Sequence, residues 1–490
     1  MVRVKILLVK PDISDFSVGF TSLARTPPLE LLTVAASVAD HELRILDMRL
    51  EKDSAFEEEL SQFNPGLIGL TAYTAEAEAA KMLARRAKKV LPDVPIVWGG
   101  YHATMALDDV LEEASVDFAV RGEGEITFPE LVRAIAGGGP FDAIPGIAFR
   151  RGEHKVVTPD RAQVDDLDTL PFLDWSLVGR YQPDYYLGVM GAVGGVESTR
   201  GCPYDCDFCS VWVFNRRRYR KKSPDRVIAE LERLPDGIEV AAFVDDEFWA
   251  DAGRSLEIAA MIGERNRAGW KGSGWKYWAQ VRTSDIARRP ELVEEWAKVG
   301  LKVLLLGIES HKDQEVEELH HKHTTVSQAT QALQTMRQHG VEAWGCFIIN
   351  PEWEERDFYD LAAFVNENEI AFPQFTVLTP LPGTVLTNRL VNAGTVRECD
   401  IPHTLLDFLH VTYPKARLPL RRFYELMADL YRKTSMAANV GTYRRLVHNG
   451  VIARGWLQSE MGQRVVTSYF GQLTNAEAYL KAHRLLGEKV

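Results

Sequence analysis

Continuous apolar runs alternate with amphipathic stretches over the first 140 residues. Short runs that are apolar on both faces are typical of buried parallel strands, and the stretches between them are long enough for helices. The runs lie at residues 4–9, 43–46, 67–71, 96–99 and 118–121, and the helical stretches at 28–39, 56–62, 75–90 and 127–136. This alternation predicts a Rossmann-like α/β domain over residues 1–140.

A second alternation follows a Gly-rich and Pro-containing segment, residues 141–194, which we interpret as an irregular connector. Its strands are predicted at residues 196–199, 240–244, 277–281, 303–308, 343–349 and 375–378. Six strands separated by helices predict a partial TIM barrel of the (β/α)6 type over residues 195–388. Strand signals then stop, and helical patterns at 423–433, 442–448 and 474–486 predict a mainly helical region over residues 389–490.

Composition and charge exclude several classes of protein. The chain has 490 residues, of which 46% are hydrophobic and 26% charged, and this balance is typical of a globular protein. No apolar run approaches the roughly 20 residues of a membrane-spanning helix, and the amino terminus does not look like a signal peptide, so we expect a cytoplasmic enzyme. The net charge of −12 argues against a nucleic-acid partner.

Charge is unevenly distributed along the chain. Residues 411–490 contain 13 Lys or Arg and 5 Asp or Glu, a net charge of +8. This basic tail is interpreted in two ways: as a surface that meets an anionic partner such as the inner face of a membrane, or as a helical cap over the barrel.

Three of the five cysteines fall within eight positions, at Cys202, Cys206 and Cys209. This C-x-x-x-C-x-x-C loop follows the first predicted barrel strand. Three thiolates can hold three corners of a 4Fe–4S cluster and leave one iron open to another ligand. Structural zinc is the less favoured alternative, because zinc usually takes four protein ligands and the sequence has no second pair.

The loop, with Phe208 just before its third cysteine, resembles the radical S-adenosylmethionine (radical SAM) superfamily over residues 196–384. The resemblance implies that Cys202, Cys206 and Cys209 bind the cluster and that the open iron binds S-adenosylmethionine (AdoMet). Reduction then gives a 5'-deoxyadenosyl radical, and a flavodoxin or ferredoxin is implied as electron donor.

Polar residues follow the later barrel strands, where ligands of parallel α/β folds bind. By the same resemblance they contact AdoMet, although a capped turn would also explain the acidic group after the second strand. These residues are Asp245, Asp246, Glu247, Gln280, Arg282, Glu309 and Ser310. The fifth strand, with residues 346–350 at its end, matches the Gly-rich motif of the superfamily poorly.

The first domain carries a second signal at the carboxyl ends of its predicted strands, where glycines allow a large ligand to approach the backbone. These segments resemble the cobalamin-binding domain of many radical SAM proteins. The segments comprise Thr71, Tyr73, Thr74, Gly99, Gly100, His102, Arg121, Gly122, Glu123, Gly124 and Glu125. The Asp-x-His-x-x-Gly signature is absent, so we expect Tyr73 or water, and not histidine, to face cobalt. An α/β domain that has lost its cobalamin is the alternative.

Together the domains resemble the class B, cobalamin-binding radical SAM enzymes, most closely the hopanoid C-3 methylase group in residues 26–30 and 418–424. The resemblance implies methyl transfer to an unactivated carbon of a small molecule, with a hopanoid or other polycyclic lipid as the implied substrate and two AdoMet consumed. Two alternatives remain open: a non-methylating enzyme similar to the anaerobic porphyrin-ester cyclase, and a non-catalytic cofactor sensor.

Other motifs favour plain structural explanations. His320, His321 and His323 are adjacent, but the capping segment beside them argues against a metal cluster. Cys346 and Cys399 are interpreted as ordinary free cysteines, and the basic run at 216–222 as a solvated connector.

Overall fold

The computed structural model describes residues 3–13, 24–319, 322, 324–436 and 439–487. Within this part of the chain two compact units are formed, one from the residues up to 13 and 27–184 and the other from 24–26 and 185 onward. His320, His321 and His323 lie outside the described residues.

The first unit contains a seven-stranded sheet in the order β2-β1-β3-β4-β5-β6-β7, with the first five strands parallel. Its strands are β1 (Lys5–Lys10), β2 (Glu42–Asp47), β3 (Leu67–Thr71), β4 (Ile96–Gly99), β5 (Phe118–Val120), β6 (Ile147–Arg151) and β7 (His154–Val157). Its helices are α1 (Leu29–Ala36), α2 (Ala55–Phe63), α3 (Ala77–Val90), α4 (Tyr101–Met105), α5 (Leu107–Glu112) and α6 (Gly124–Gly137). The chain reverses direction across the sheet between β1 and β3, which confirms the doubly wound fold and places its ligand edge at the carboxyl ends of these strands.

The expectation of an irregular connector over residues 141–194 is wrong for its first part. The antiparallel strands β6 and β7 extend the first sheet beside β5. Phe149 on β6 packs against Phe118 and Phe141, with ring centroids 5.8 Å from each. Arg150 donates to the backbone carbonyl of Val116 at 2.7 Å. The sequence did not predict these strands because they are short and rich in charged residues. Charged residues are tolerated in strands at the edge of a sheet.

The second unit contains six parallel strands in chain order, which confirms the partial (β/α)6 barrel. The strands are β8 (Val193–Val196), β9 (Val240–Phe243), β10 (Lys276–Arg282), β11 (Leu301–Glu309), β12 (Glu342–Ile349) and β13 (Phe372–Val377). The helices are α7 (Val211–Phe214), α8 (Pro224–Leu231), α9 (Ala252–Arg267), α10 (Thr283–Arg288), α11 (Glu291–Val299), α12 (Val326–Gln338), α13 (Glu355–Glu367) and α14 (Val385–Asn392).

The first barrel strand lies three residues earlier than the sequence predicts. Gly194 lies inside β8, where an added Cβ would come within 3.0 Å of Leu234 and 3.2 Å of Ile238, so a side chain there would need both neighbours to shift. Thr199, the predicted end of that strand, instead belongs with Arg200 to a short strand that pairs antiparallel with Arg220–Lys221. The cysteine loop lies between these two short strands.

The carboxyl-terminal region is helical, as expected, and consists of α15 (Leu420–Thr434), α16 (Val440–His448), α17 (Glu460–Gln472) and α18 (Ala476–Leu485). Helix α15 covers the open edge of the barrel. The Tyr431 hydroxyl accepts a hydrogen bond from the backbone N–H of Phe375 at 3.0 Å and donates to the carbonyl of the same residue at 2.8 Å. One phenol thus replaces part of the hydrogen bonding that a further strand would give to β13.

Several cations of the basic tail bind acidic residues of the barrel helices and strands. Arg422 pairs with Glu355 at 2.8 Å and Arg445 with Glu342 at 3.0 Å. This arrangement favours the interpretation of the tail as a helical cap, because part of its positive charge is balanced within the unit. Among the described residues, no helix is both long enough and apolar enough to cross a membrane.

Candidate active site at the carboxyl ends of the barrel strands

The cysteine loop is shaped by a glycine and by two hydrogen bonds to one carbonyl. Gly201 has φ of +87°, and an added Cβ there would collide with the carbonyl oxygen of Arg218. The carbonyl of Cys206 accepts hydrogen bonds from the backbone N–H of Cys209 and from the indole N–H of Trp212, both at 3.0 Å. These contacts fold the loop back on itself between Cys206 and Cys209.

The three predicted cluster ligands are brought together in this loop. Cys209 interacts electrostatically with both Cys202 and Cys206, so the three thiols are neighbours. Burial raises the pKa of Cys202 and of Cys209 to about 12. Coordination to iron stabilises the thiolate form of cysteine, and three thiols in one loop fit an iron–sulfur cluster with one open iron.

Phe208 fastens the loop to the end of the barrel. Its ring packs against Ile348, Leu378 and Leu386, and the carbonyl of Asp207 accepts a hydrogen bond from the backbone N–H of Leu386 at 3.0 Å. Phe208 therefore contacts the last two strands and α14 and has a packing role within the protein.

Asp245 is turned toward the protein. Its carboxylate accepts hydrogen bonds from the backbone N–H groups of Ser198 at 2.6 Å and Thr199 at 2.8 Å. Burial raises its pKa to about 6. Because its other oxygen accepts from the Ser198 hydroxyl, Asp245 holds the chain that leads into the cysteine loop.

Of the other two acidic residues of this segment, Glu247 is buried and Asp246 is half-buried. Asp246 accepts a hydrogen bond from the backbone N–H of Gly201 at 3.3 Å, and Glu247 from that of Trp249 at 3.3 Å. Burial raises the pKa of Asp246 to about 7 and that of Glu247 to about 8, with the nearby Asp285 adding to the second shift. Gln280 donates to the carbonyl of Asp246 at 3.1 Å and so supports the same turn.

Arg282 ends β10 beside the cysteines. Its Nη1 lies 3.8 Å from the Cys206 sulfur, and its guanidinium carbon 3.7 Å from the centroid of the Tyr204 ring. Three buried polar atoms at this strand end, Arg282 Nε, Ser284 Oγ and Asp285 Oδ2, have no hydrogen-bond partner among the described residues.

Unpaired buried donors and acceptors are costly, and they are expected where a ligand completes the hydrogen bonding. The atoms present, one cationic donor, one hydroxyl and one carboxylate oxygen, suit the amino, carboxylate and hydroxyl groups of AdoMet. Sequence reasoning missed Ser284 and Asp285, although they directly follow a predicted barrel strand.

Glu309 and Ser310 are bound to other protein groups. Glu309, whose φ is +68°, forms an ion pair with the Lys322 ammonium at 2.5 Å, and Lys322 also donates to the carbonyl of Gly307. The Ser310 hydroxyl donates to Glu315 at 2.6 Å. Cys346 is close enough to Glu309 and Lys322 to interact electrostatically with both, whereas Cys399 is exposed. Lys322 was missed because nothing in the sequence links it to Glu309.

In the first unit, β3 and β4 bring their carboxyl ends together. An added Cβ on Gly100, where φ is +87°, would lie 2.6 Å from the Thr71 hydroxyl. Tyr73 is 57% exposed and stands 6.0 Å from Tyr101, measured between ring centroids. Gly99 is half-buried beside them. This edge is open to a ligand at Tyr73 and tightly packed beneath it.

His102 and Thr74 lie beneath this edge and not on it. Both are buried, and the His102 ring nitrogens lie 3.3 Å from the Thr74 hydroxyl and 2.9 Å from Asp109. The ring also packs against Trp98. Within this unit His102 is therefore a supporting residue, in agreement with the absence of the histidine signature.

The segment after β5 is mostly anchored to the chain that follows the β6–β7 hairpin. Arg121 donates to the carbonyl of Thr158 at 2.6 Å, and Glu123 accepts from the backbone N–H of Val164 at 2.8 Å. Gly122, at φ of +73°, has open space where a Cβ would stand, while Gly124 begins α6 and Glu125 is buried. Gly122 is the member of this group that leaves room for a ligand.

A buried cation that the sequence did not reveal lies at the end of β1. Lys10 pairs with Glu76 at 2.8 Å and with Glu30 at 3.3 Å, and its ammonium stands 4.7 Å from the centroid of the Tyr73 ring. Burial opposes the charge on Lys10, but the two carboxylates outweigh it and raise the pKa above its usual range. Glu76 also accepts from the backbone N–H of Tyr73, so Lys10 fixes the loop that carries Tyr73.

Comparison with known proteins agrees with both units. Residues 17–132 match the B12 binding domain family, and residues 196–365 match the radical SAM superfamily. The chain is 31% identical over 421 residues to the hopanoid C-3 methylase of Methylococcus capsulatus, covering 84% of this chain and 77% of that protein. It is 30% identical over 435 residues to an uncharacterized methyltransferase of Pyrococcus horikoshii, covering 86% and 91%.

The fold is also that of a solved structure, the radical SAM methyltransferase TsrM from Kitasatospora setae with cobalamin and a 4Fe–4S cluster bound. The two superimpose with a TM-score of 0.68 at 18% identity over 89% of this chain and 90% of that one. The chain therefore belongs to the cobalamin-binding radical SAM family. Within that family it is a methyltransferase, and its cofactors are a 4Fe–4S cluster, AdoMet and cobalamin.

Proposed function

We propose that the enzyme transfers a methyl group to an unactivated carbon of a polycyclic lipid of the hopanoid type. The observation that carries the chemistry is the cysteine loop lying beside three unpaired buried polar atoms at the end of β10. The choice of lipid is supported by the relative named for hopanoid C-3 methylation, which the chain matches over most of its length. When bound, the cluster supplies the electron that cleaves AdoMet, and cobalamin supplies the methyl group.

The residues of the barrel divide into ligands and supports. Cys202, Cys206 and Cys209 hold the cluster, and Arg282 places a positive charge beside it. Glu247, Ser284 and Asp285 face the polar groups of AdoMet together with the unpaired Nε of Arg282. The supports are Asp245, Asp246, Gln280, Phe208, Glu309 and Ser310, which fix the loops and strand ends through the contacts described above.

The first unit is proposed to bind cobalamin along the carboxyl edge of its sheet. Tyr73 is the exposed side chain at that edge and Gly122 leaves open space beside the backbone, while Thr71, Gly99, Gly100 and Gly124 form the closely packed backbone on which the ligand would lie. Thr74, His102, Arg121, Glu123 and Glu125 position these loops from below.

Two further points follow from this chemistry. Cleavage of AdoMet consumes an external electron, so we propose a flavodoxin or ferredoxin as redox partner. A lipid substrate places the enzyme in the cytoplasm at the inner face of the membrane, where part of the cationic carboxyl-terminal surface meets anionic headgroups.

The test is to count AdoMet products with anaerobically reconstituted enzyme, cobalamin, reductant and a hopanoid-containing lipid extract. Roughly equal amounts of S-adenosylhomocysteine and 5'-deoxyadenosine, with a lipid heavier by one methyl group, are expected, because each turnover uses AdoMet in both roles. Cys206→Ala should abolish both products, and Cys399→Ala, which changes an exposed cysteine, should leave them unchanged. Lipid-dependent 5'-deoxyadenosine without S-adenosylhomocysteine would reject methyl transfer in favour of cyclase-like chemistry.

A further inference from the structure

A separate cavity of about 120 Å³ lies in the second unit at the amino-terminal ends of the barrel strands, away from the strand ends that carry the cysteine loop. We call it the floor cavity. Its wall combines the starts of three strands with residues 187–190 and two carboxyl-terminal helices. Representative wall residues are Val303, Trp344, Phe372, Tyr431, Val465 and Tyr469.

Most of the polar groups in this wall are already paired within the protein. The Trp344 indole donates to the Gln374 side chain at 2.7 Å, and the Tyr469 hydroxyl donates to the carbonyl of Tyr431 at 2.9 Å. None of the described wall residues is charged. The indole N–H of Trp456 is buried and has no hydrogen-bond acceptor among the described residues. A molecule in the floor cavity would therefore meet mostly carbon, and the polar wall groups nearest to it are the Trp456 indole N–H and the Gln374 amide.

The register of the barrel relates the floor cavity to the candidate active site. Arg282, Gly307, Cys346 and Gln374 stand side by side on four neighbouring strands. Trp344 precedes Cys346 by two residues and faces the same side of the sheet, about 7 Å further down the strand. Gln374 is also a wall residue of the floor cavity, so the cavity extends to the register row that contains Arg282.

We propose that the floor cavity binds an uncharged, hydrocarbon-like group. An ion would lose its hydration there without gaining a partner, whereas an engineered apolar cavity of roughly 150 Å³ stays dry and takes up benzene or xenon. Close-packed protein interiors rarely leave a void of this size unfilled.

Two sources could supply such a group: the far end of a lipid substrate that reaches down the barrel, or a separate apolar molecule. The first source rests on the proposed function, whereas the affinity of the cavity for hydrocarbon does not. Failure of the cavity proposal and failure of the proposed function can therefore be distinguished, because hydrocarbon binding is measured without enzymatic turnover.

The experiment is a titration of the full-length, reconstituted enzyme with cyclohexane, followed by ligand-observed NMR. Val465→Trp fills the cavity from α17, and the matched control Val440→Trp makes the same change at a helix position that is 62% exposed. We expect saturable binding to the wild type and to Val440→Trp, and at least a tenfold weaker affinity for Val465→Trp. If Val465→Trp does not fold, as judged by circular dichroism, Val465→Phe makes a smaller filling of the same cavity and should weaken binding at least threefold.

Absence of saturable binding to the wild type, or equal affinity in the wild type and in the folded Val465 variant, would overturn the proposal. A competition with the hopanoid-containing extract identifies the source of the ligand. Displacement of cyclohexane assigns the floor cavity to the substrate, and simultaneous binding assigns it to a second molecule. If the probe binds but no methylated lipid is ever formed, the proposed function fails and the floor cavity remains a hydrocarbon site.

Discussion

The guanidinium of Arg282 contacts two members of the cysteine loop, with Nη1 3.8 Å from the Cys206 sulfur and the central carbon 3.7 Å from the centroid of the Tyr204 ring. A positive charge this close to a cysteine sulfur makes the local electrostatic potential more positive.

Replacing Arg282 with Gln should make the cluster harder to reduce. Removing a positive charge about 4 Å away disfavours the added electron, and we expect the reduction potential to fall by about 60 mV, a factor of ten in the one-electron equilibrium. Potentiometric titration followed by EPR spectroscopy measures this. Arg265→Gln, at a surface ion pair on α9, is the control. An unchanged potential in Arg282→Gln would show that the charge does not act on the cluster.

Gly201 and Gly237 form a matched pair for testing the cysteine loop. Both have positive φ, +87° and +81°, but only at Gly201 would a Cβ collide with a backbone carbonyl, while Gly237 faces open space. Gly237→Ala should cost about 1–2 kcal/mol of backbone strain and keep its cluster. Gly201→Ala should lose more than half of the bound iron after reconstitution, measured by iron and sulfide analysis. Equal iron contents in Gly201→Ala and Gly237→Ala would contradict the conclusion that the backbone contact at Gly201 shapes the cysteine loop.

Lys10→Met should destabilise the first unit, because it leaves the buried Glu76 without its cation. Breaking a buried ion pair from one side typically costs about 3–5 kcal/mol. We expect a lower thermal midpoint and weaker retention of cobalamin after gel filtration. Lys89→Met, at an exposed position of α3, should change neither. A Lys10→Met protein as stable as wild type would mean that Glu76 finds another partner or a proton.

Stability in mildly acidic solution should depend on His311. Both of its ring nitrogens are buried and have no hydrogen-bond partner among the described residues. Burial and the nearby Lys312 ammonium lower the pKa of His311, and they outweigh the opposite effect of Glu315, Asp357 and Asp360. The unfolded chain therefore binds a proton below about pH 6.5 that the folded protein resists, and stability falls as the pH drops through that value. The thermal midpoint of His311→Gln should fall less than that of wild type between pH 7 and pH 5. Parallel curves would contradict this assignment.

The parts of the fold that were predictable are those encoded locally. The five apolar runs of the first domain became β1 to β5, and the clustered cysteines came together in one loop, because short periodic patterns and short spacings are preserved in the folded chain. The Glu309–Lys322 ion pair joins residues 13 positions apart that no local pattern links, and the β6–β7 hairpin was missed because its short strands are rich in charged residues.

Asp245 illustrates a subtler limit. Its place after the second barrel strand suggested a ligand contact, and strand ends do gather at the site. Which way a carboxylate turns is decided by the nearest unpaired N–H groups, here those of Ser198 and Thr199. Spacing in the sequence therefore predicted the neighbourhood of Asp245, but not the direction of its side chain.

The contact of Tyr431 with the backbone of Phe375 has a consequence for shortened versions of the enzyme. A chain ending near residue 388 would keep all six barrel strands and the cysteines, yet it would present β13 to solvent as a bare template for another strand. Such a fragment should associate edge to edge rather than remain a smaller catalyst. The last hundred residues thus prevent barrels of different molecules from pairing through their exposed β13 edges.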